Sequence, residues 1–117
     1  MNVQIKRIYH STNREHNEKR ILVDRVWPRG ISKEGANLDE WLRDVAPSPE
    51  LRKWFHHDPE KFELFKEEYK KELDNDEQKA YALQKLKDYA KQGNLILLYG
   101  AKDEEHNHAR VIKELLT

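Results

Sequence analysis

Apolar side chains recur along this chain in two periods, and each period predicts a kind of element. Val3 and Ile5, followed by Ile8-Tyr9, alternate with polar neighbours and predict a strand over residues 3–9. Residues 10–20 are polar throughout and are expected to form a loop. Ile21-Leu22-Val23 is a largely β-branched run with charges on both sides, which predicts a second strand. Pro28 and Gly30 end it and open a loop that runs to about Ala36.

The helical period takes over next. Asn37 stands three positions before Glu40 in the manner of a capping box, so a short helix is expected to start there and carry Trp41 and Leu42. Ala46-Pro47-Ser48-Pro49 stops it. Ser48 then caps a further helix with Pro49 in its first turn, where a missing N–H costs nothing. Asp58-Pro59 repeats that signal ahead of Phe62, Phe65, Tyr69 and Leu73, whose spacing of three and four is that of an amphipathic helix. Asp74-Asn75-Asp76 separates it from another helix with Ala80, Leu83, Leu86 and Ala90 facing inward, and Gly93 stands where a left-handed C-cap belongs. Leu95-Ile96-Leu97-Leu98-Tyr99 is continuously apolar, the mark of a strand buried on both faces in a parallel sheet. Gly100 to Asn107 forms a loop, and His108 to Leu116 the last helix.

These elements predict an α/β fold. It is a small three-layer single domain over residues 1–117, with a mainly parallel sheet of about three strands covered by about five helices. Ligands of such sheets bind beyond the carboxyl ends of the strands. Two loops leave those ends, Asp24–Lys33 and Gly100–Asn107, and they meet if the second and third strands are parallel neighbours.

Composition narrows the chemistry. Charged residues make up 38% of the chain, a level compatible with disorder, but a formal net charge of zero and 11 aromatic residues (three Trp, five Tyr, three Phe) argue for a folded domain with a charged surface. The absence of cysteine removes disulfides, thiolate nucleophiles, Cys-ligated zinc and iron–sulfur clusters, and favours the cytoplasm. The alternating N-terminus differs from a signal peptide, and the apolar run at 95–99 is too short to span a bilayer, so no membrane association is expected. Charge is unevenly spread. Residues 1–33 hold eight Lys/Arg against three Asp/Glu, whereas residues 58–79 hold five against nine. The basic third suits a small anionic ligand; nucleic acid ordinarily selects a more strongly basic domain. No Gly-rich phosphate loop and no nucleophile elbow is present, and nothing in the sequence names a cofactor.

The segment Val23-Asp24-Arg25-Val26-Trp27-Pro28-Arg29-Gly30 carries the candidate site. Guanidinium groups match phosphate and carboxylate with two parallel hydrogen bonds, so Arg25 and Arg29, with Arg52, are candidate anion ligands. Trp27 would wall the pocket, and Gly30 would permit close backbone approach. The competing reading has an arginine paired with Asp24 to pin the loop, and Trp27 in the core. In the second loop Asn107 is a candidate ligand-binding residue. Asp24 or Asp103 would act as base and His108 or His57 as acid. His106 and His108 have a metal-like spacing, but a zinc ion would also need His10, His16, His56, His57 or a carboxylate; no metal site is assigned. Tyr69 and Glu72 share a helix, with core tyrosine and solvated glutamate as the expected roles.

Three stretches in order, Arg20-Ile21-Leu22-Val23-Asp24-Arg25-Val26-Trp27-Pro28-Arg29-Gly30, Pro47-Ser48 with Leu51 to Asp58, and Leu97-Leu98-Tyr99 with Ala101-Lys102-Asp103 and Asn107-His108-Ala109, resemble the YeaO-like bacterial proteins, a domain-of-unknown-function family. The resemblance runs from Val3 to Leu116 and implies an α/β fold in a bacterial or archaeal cytoplasmic protein; it implies no activity. Longer relatives place a Cys-His-Arg motif before the last helix, where this chain has Asn107-His108-Ala109 and so lacks both cysteine and arginine. Two functions are therefore weighed: a pocket for a small phosphorylated or nucleotide-like anion, with or without catalysis, and a non-catalytic regulatory or binding module that senses a metabolite or docks protein or nucleic acid.

Overall fold

The longest apolar run forms the centre of the sheet. In the computed structural model, which describes residues 2–15 and 17–117, β4 (Asn94–Tyr99) lies between β1 (Val3–Arg7) and β2 (Glu18–Leu22), and β3 (Glu40–Trp41) adds to the far side of β2. The order is β1-β4-β2-β3 and every pairing is parallel. Val3 pairs with Leu95 and Leu22 with Leu98. The strands therefore end on one edge, and the loops after β2 and β4 emerge side by side.

Alternation assigns the faces. Leu95, Leu97 and Tyr99 of β4 join Val3, Ile21 and Val23 in the main core, while Ile96 and Leu98 point the other way with Leu22. The main core is completed by α2 (Pro49–Phe55), α3 (Phe62–Asn75), α4 (Glu77–Gln92) and α5 (His108–Leu116). Their starts follow the local signals. The Ser48 hydroxyl accepts the Leu51 amide, Asp58 accepts the Glu60 amide ahead of α3, Asp76 accepts those of Gln78 and Lys79, and Asn107 accepts that of Arg110. The opposite face is covered thinly, by Ala36 of the one-turn α1 (Lys33–Ala36) and by Trp27, Ile31, Leu38 and Trp41. The third layer is thus mostly loop.

Several local expectations are corrected. The sheet has four strands, because the polar segment before Ile21 already pairs: Glu18, Lys19 and Arg20 lie opposite Asn94, Leu95 and Ile96. No helix starts at Asn37. That residue ends α1 in the left-handed conformation (φ 53°), and the Asp39 and Leu42 amides donate to the Arg20 and Leu22 carbonyls. The open edge of β2 needs those partners, and the ladder outweighs a local capping box. Gly93 is extended (φ 164°) and leads straight into β4 instead of capping α4 in the left-handed region. In α4 the fully buried alanine near its start is Ala82, whereas Ala80 is half-buried. Glu72 is no solvated acid either: its carboxylate accepts the Ser48 amide and hydroxyl, tying α3 to the start of α2.

Arg20 is the largest fully buried side chain. Its guanidinium donates to the carbonyls of Ser11, Asn13, Ala36 and Asn37 and to the Ser11 hydroxyl. Burial lowers its pKa from the usual guanidinium value, and the carbonyl dipoles compensate the buried charge. Two chain crossings over the thin face are thereby fixed to β2.

Candidate functional site

Beyond the carboxyl edge of β2 and β4 lies a cleft of about 350 Å³. Asp24, Arg25, Trp27 and Arg29 from the first loop line it, together with Arg52 of α2, His57 after α2, and His108 at the start of α5. The loops are joined directly: the Gly100 amide donates to Asp24 Oδ2 at 2.8 Å. A Cβ on Gly100 would come within 3.1 Å of that oxygen, so Gly100 is the glycine that close approach requires. Gly30 has open space around it and is held to glycine by its φ of +83°; close approach is not its role.

The His108 Nε2–H donates to the Val23 carbonyl at 3.0 Å and lies 3.1 Å from Asp24 Oδ1. It points at the carbonyl, which leaves Asp24 Oδ1 buried without a hydrogen-bond donor. A donor at Nε2 makes Nδ1 the ring nitrogen available for proton exchange. Asp24 is thus held by the Gly100 amide, with the His108 ring beside its second oxygen, and it pairs with no arginine. Among the described residues no carboxylate lies within ion-pair distance of Arg25, Arg29 or Arg52, and the one hydrogen bond from these guanidiniums runs from Arg25 Nε to the Pro47 carbonyl at 3.4 Å. Asp24 is the sole carboxylate among the described residues lining the cleft.

The supports are aromatic. Trp27 donates its indole N–H to the Ile31 carbonyl and meets Trp41 edge-on, with ring centroids 5.2 Å apart. It is at once wall and core. The Tyr9 hydroxyl donates to the Arg29 carbonyl at 2.7 Å, and the Arg7 guanidinium lies over the Tyr9 ring while its Nε donates to the Ala101 carbonyl. Tyr9 and Arg7 thus anchor both loops, a role that alternation alone does not announce. Tyr69 is fully buried and donates to the Val45 carbonyl. Burial pushes its phenol well above the usual range, reinforced by Glu72 and Asp24, so it stays a neutral donor.

His57 reaches the cleft through an unusual bend. His56 and His57 both occupy the left-handed region, with φ of 46° and 54°. The His56 amide closes α2 on the Arg52 carbonyl and the Asp58 amide donates to the Phe55 carbonyl, which forces the reversal. Such a conformation is costly for residues with a Cβ and persists where surrounding structure imposes it.

Two expected members of the site are elsewhere. Asp103 faces its own loop: Oδ1 accepts the Glu105 and His106 amides and Oδ2 the His106 Nδ1. Burial works to raise its pKa, but these donors prevail and hold the carboxyl below the usual range. A carboxylate so engaged is a turn former, not a base in the cleft. Asn107 caps α5 with its oxygen and donates its amide to the Asp103 carbonyl, so both ends of the side chain are occupied. It lines a second cavity adjoining the cleft. His106 is bound to Asp103 and meets Phe62 edge-on, and it does not line the cleft. Among the described residues no group of three or more His, Asp or Glu could hold a metal ion; His16, one candidate for such a group, lies outside them. No helix among the described residues is long and apolar enough to cross a membrane.

Comparison with known proteins supports the resemblance read from the sequence. Residues 2–117 match the family described as the inactive DUF488-N3 subclade. The chain is 45% identical over 116 residues to YeaO of Escherichia coli K12, an uncharacterised protein, covering 99% of this chain and 97% of the relative. It is 35% identical over 114 residues to the uncharacterised Rv3073c of Mycobacterium tuberculosis H37Rv, covering 97% of this chain and 92% of the relative. No solved structure matches.

Proposed function

The chain belongs to the DUF488-N3 family, in a subclade described as inactive, and from that premise we propose that it is a non-catalytic binding protein for a small phosphorylated anion. The observation that carries the reading is the set of guanidiniums lining the cleft without carboxylate partners: Arg25, Arg29 and Arg52. Guanidiniums of structural importance are usually paired; unpaired ones lining a cleft beyond the carboxyl ends of parallel strands suit an incoming phosphate. The missing nucleophile points the same way. The chain has no cysteine, and Asn107 is engaged in capping α5. The bacterial relatives support a bacterial setting, and the absence of cysteine supports a cytoplasmic one.

Titration with inorganic phosphate, followed by thermal unfolding, tests the reading. A ligand that binds the native state at ten times its Kd stabilises by about 1.4 kcal/mol, or roughly 5 °C in a domain of this size. Arg25→Ala and Arg29→Ala are each expected to abolish the shift. A shift that survives both substitutions, or none at tens of millimolar phosphate, refutes it.

The Asp24–His108 contact favours a second reading, acid–base catalysis on a phosphate ester. Hydrolysis of p-nitrophenyl phosphate that disappears in His108→Gln would establish it; no turnover is expected.

A further inference from the structure

A second cavity, of about 360 Å³, opens beside the arginine cleft. The two share Pro47, Arg52, His57, Ala101 and His108 as common walls. The chemistry of the second cavity is different. Phe55 and Phe65 line it as a stacked pair, with centroids 4.3 Å apart and planes at 20°, and Pro47 and Pro49 add two apolar pyrrolidine rings. Asn107 lies in the wall, yet its oxygen and its amide are both engaged. One side of the lining is thus apolar, made by the phenylalanines, the prolines and Ala101, and the rest is polar, with exposed Arg52 and Lys53 and the imidazoles of His56, His57 and His108.

We propose that cleft and chamber form one bipartite site for a small aromatic phosphoester, with the phosphoryl group held by Arg25 and Arg29 and the ring lodged against Phe55, Phe65 and the prolines. This rests on the reading of the cleft as an anion site. Rings prefer offset or edge-to-face contacts with other rings, so a wall holding two phenylalanines and two prolines suits an aromatic ring that meets it edge-on. Because the halves share their walls, one small ligand can occupy both. The His56–His57 bend acquires a purpose in this arrangement. The left-handed pair sets His57 in the wall common to both halves.

Calorimetric titration of the full chain with phenyl phosphate, inorganic phosphate and phenol separates the possibilities. Phenyl phosphate is expected to bind about tenfold more tightly than inorganic phosphate, the gain due to burying one ring, and phenol only weakly. Phe65→Leu keeps the wall apolar but removes an aromatic ring, and Pro49→Ala removes a ring from an exposed part of the wall. Each is expected to reduce the phenyl phosphate advantage several-fold and leave inorganic phosphate affinity unchanged. Equal affinity for phenyl phosphate and inorganic phosphate overturns the bipartite site and leaves the anion cleft standing. Binding of neither overturns both. Phenol binding as tightly as phenyl phosphate, insensitive to Arg25→Ala, overturns the assignment of the phosphoryl half.

Discussion

Asp24→Asn is expected to move stability and ligand affinity in opposite directions. Oδ2 accepts the Gly100 amide at 2.8 Å and Oδ1 lies 3.1 Å from His108 Nε2. In asparagine one oxygen becomes an NH2 group. Turned toward the Gly100 N–H, that group sets donor against donor; turned toward His108, it puts a neutral amide in place of the carboxylate beside the ring, and in both orientations the Gly100 N–H loses a charged acceptor. A hydrogen bond to a charged acceptor contributes roughly 1.5–3 kcal/mol. The Asp24 side chain keeps 18% of its surface exposed, so solvent screening reduces the expected loss to about 1–2 kcal/mol, or roughly 4–8 °C in melting temperature. The same substitution removes the negative charge facing the incoming phosphate. Loss of a like charge lining the cleft is expected to tighten phosphate binding several-fold. Urea unfolding and phosphate titration on the same preparation measure both. Unchanged stability would refute the bridging role of Asp24. Weaker phosphate binding in a folded variant would refute the placement of the anion against the arginines.

Other outcomes follow from the same geometry. Arg20→Met strips one buried and three partly buried carbonyls of a charged donor and should destabilise by about 3–5 kcal/mol; a urea midpoint near that of the parent chain would show that water replaces the guanidinium. His56→Gly relieves a left-handed residue carrying a Cβ and should raise stability by about 0.5–1 kcal/mol, and a loss would mean that the imidazole is needed for packing. At Asp39 burial favours the protonated form, but the Arg14 guanidinium and the Arg20 amide prevail and hold the carboxyl below its usual range. The folded pKa is thus depressed, so its contribution is present above the unfolded value and is lost as pH falls through the folded one. Asp39→Asn should accordingly flatten the decline in stability below about pH 4, measured by urea unfolding across pH; an unaltered acid limb would assign that decline to other carboxylates.

The parts of the fold legible in sequence were those decided within a few residues. Ser48-Pro49, Asp58-Pro59 and Asp76 cap helices because the side chain meets amides two or three positions ahead. The run Leu95–Tyr99 announced a strand buried on both faces because both faces are covered. Asn37 looked equally local and misled, since the open edge of β2 recruited its neighbours. Gly93 misled in a similar way: the chain needed to run straight into β4.

At the site, the residue types were readable and their partners were not. Arg25, Arg29, Trp27 and Asp24 stood together in one motif, and the loop that follows a parallel strand is where such sheets bind ligands. Nothing in the spacing distinguished Asp24, which bridges to Gly100 across 76 positions of chain, from Asp103, which folds onto amides two and three residues ahead. Both are aspartates at the head of a loop. Nor could the sequence separate Arg20, sealed beneath two chain crossings, from Arg29 on the open rim. The sequence by itself determined the α/β class, the starts of the helices capped by Ser48, Asp58 and Asp76, and the basic, cysteine-free character of the candidate site, since these depend on period, capping and composition. The tertiary structure decided which charges are occupied and which face the cleft, because occupancy depends on distances between segments that only the packing of the sheet and its loops sets.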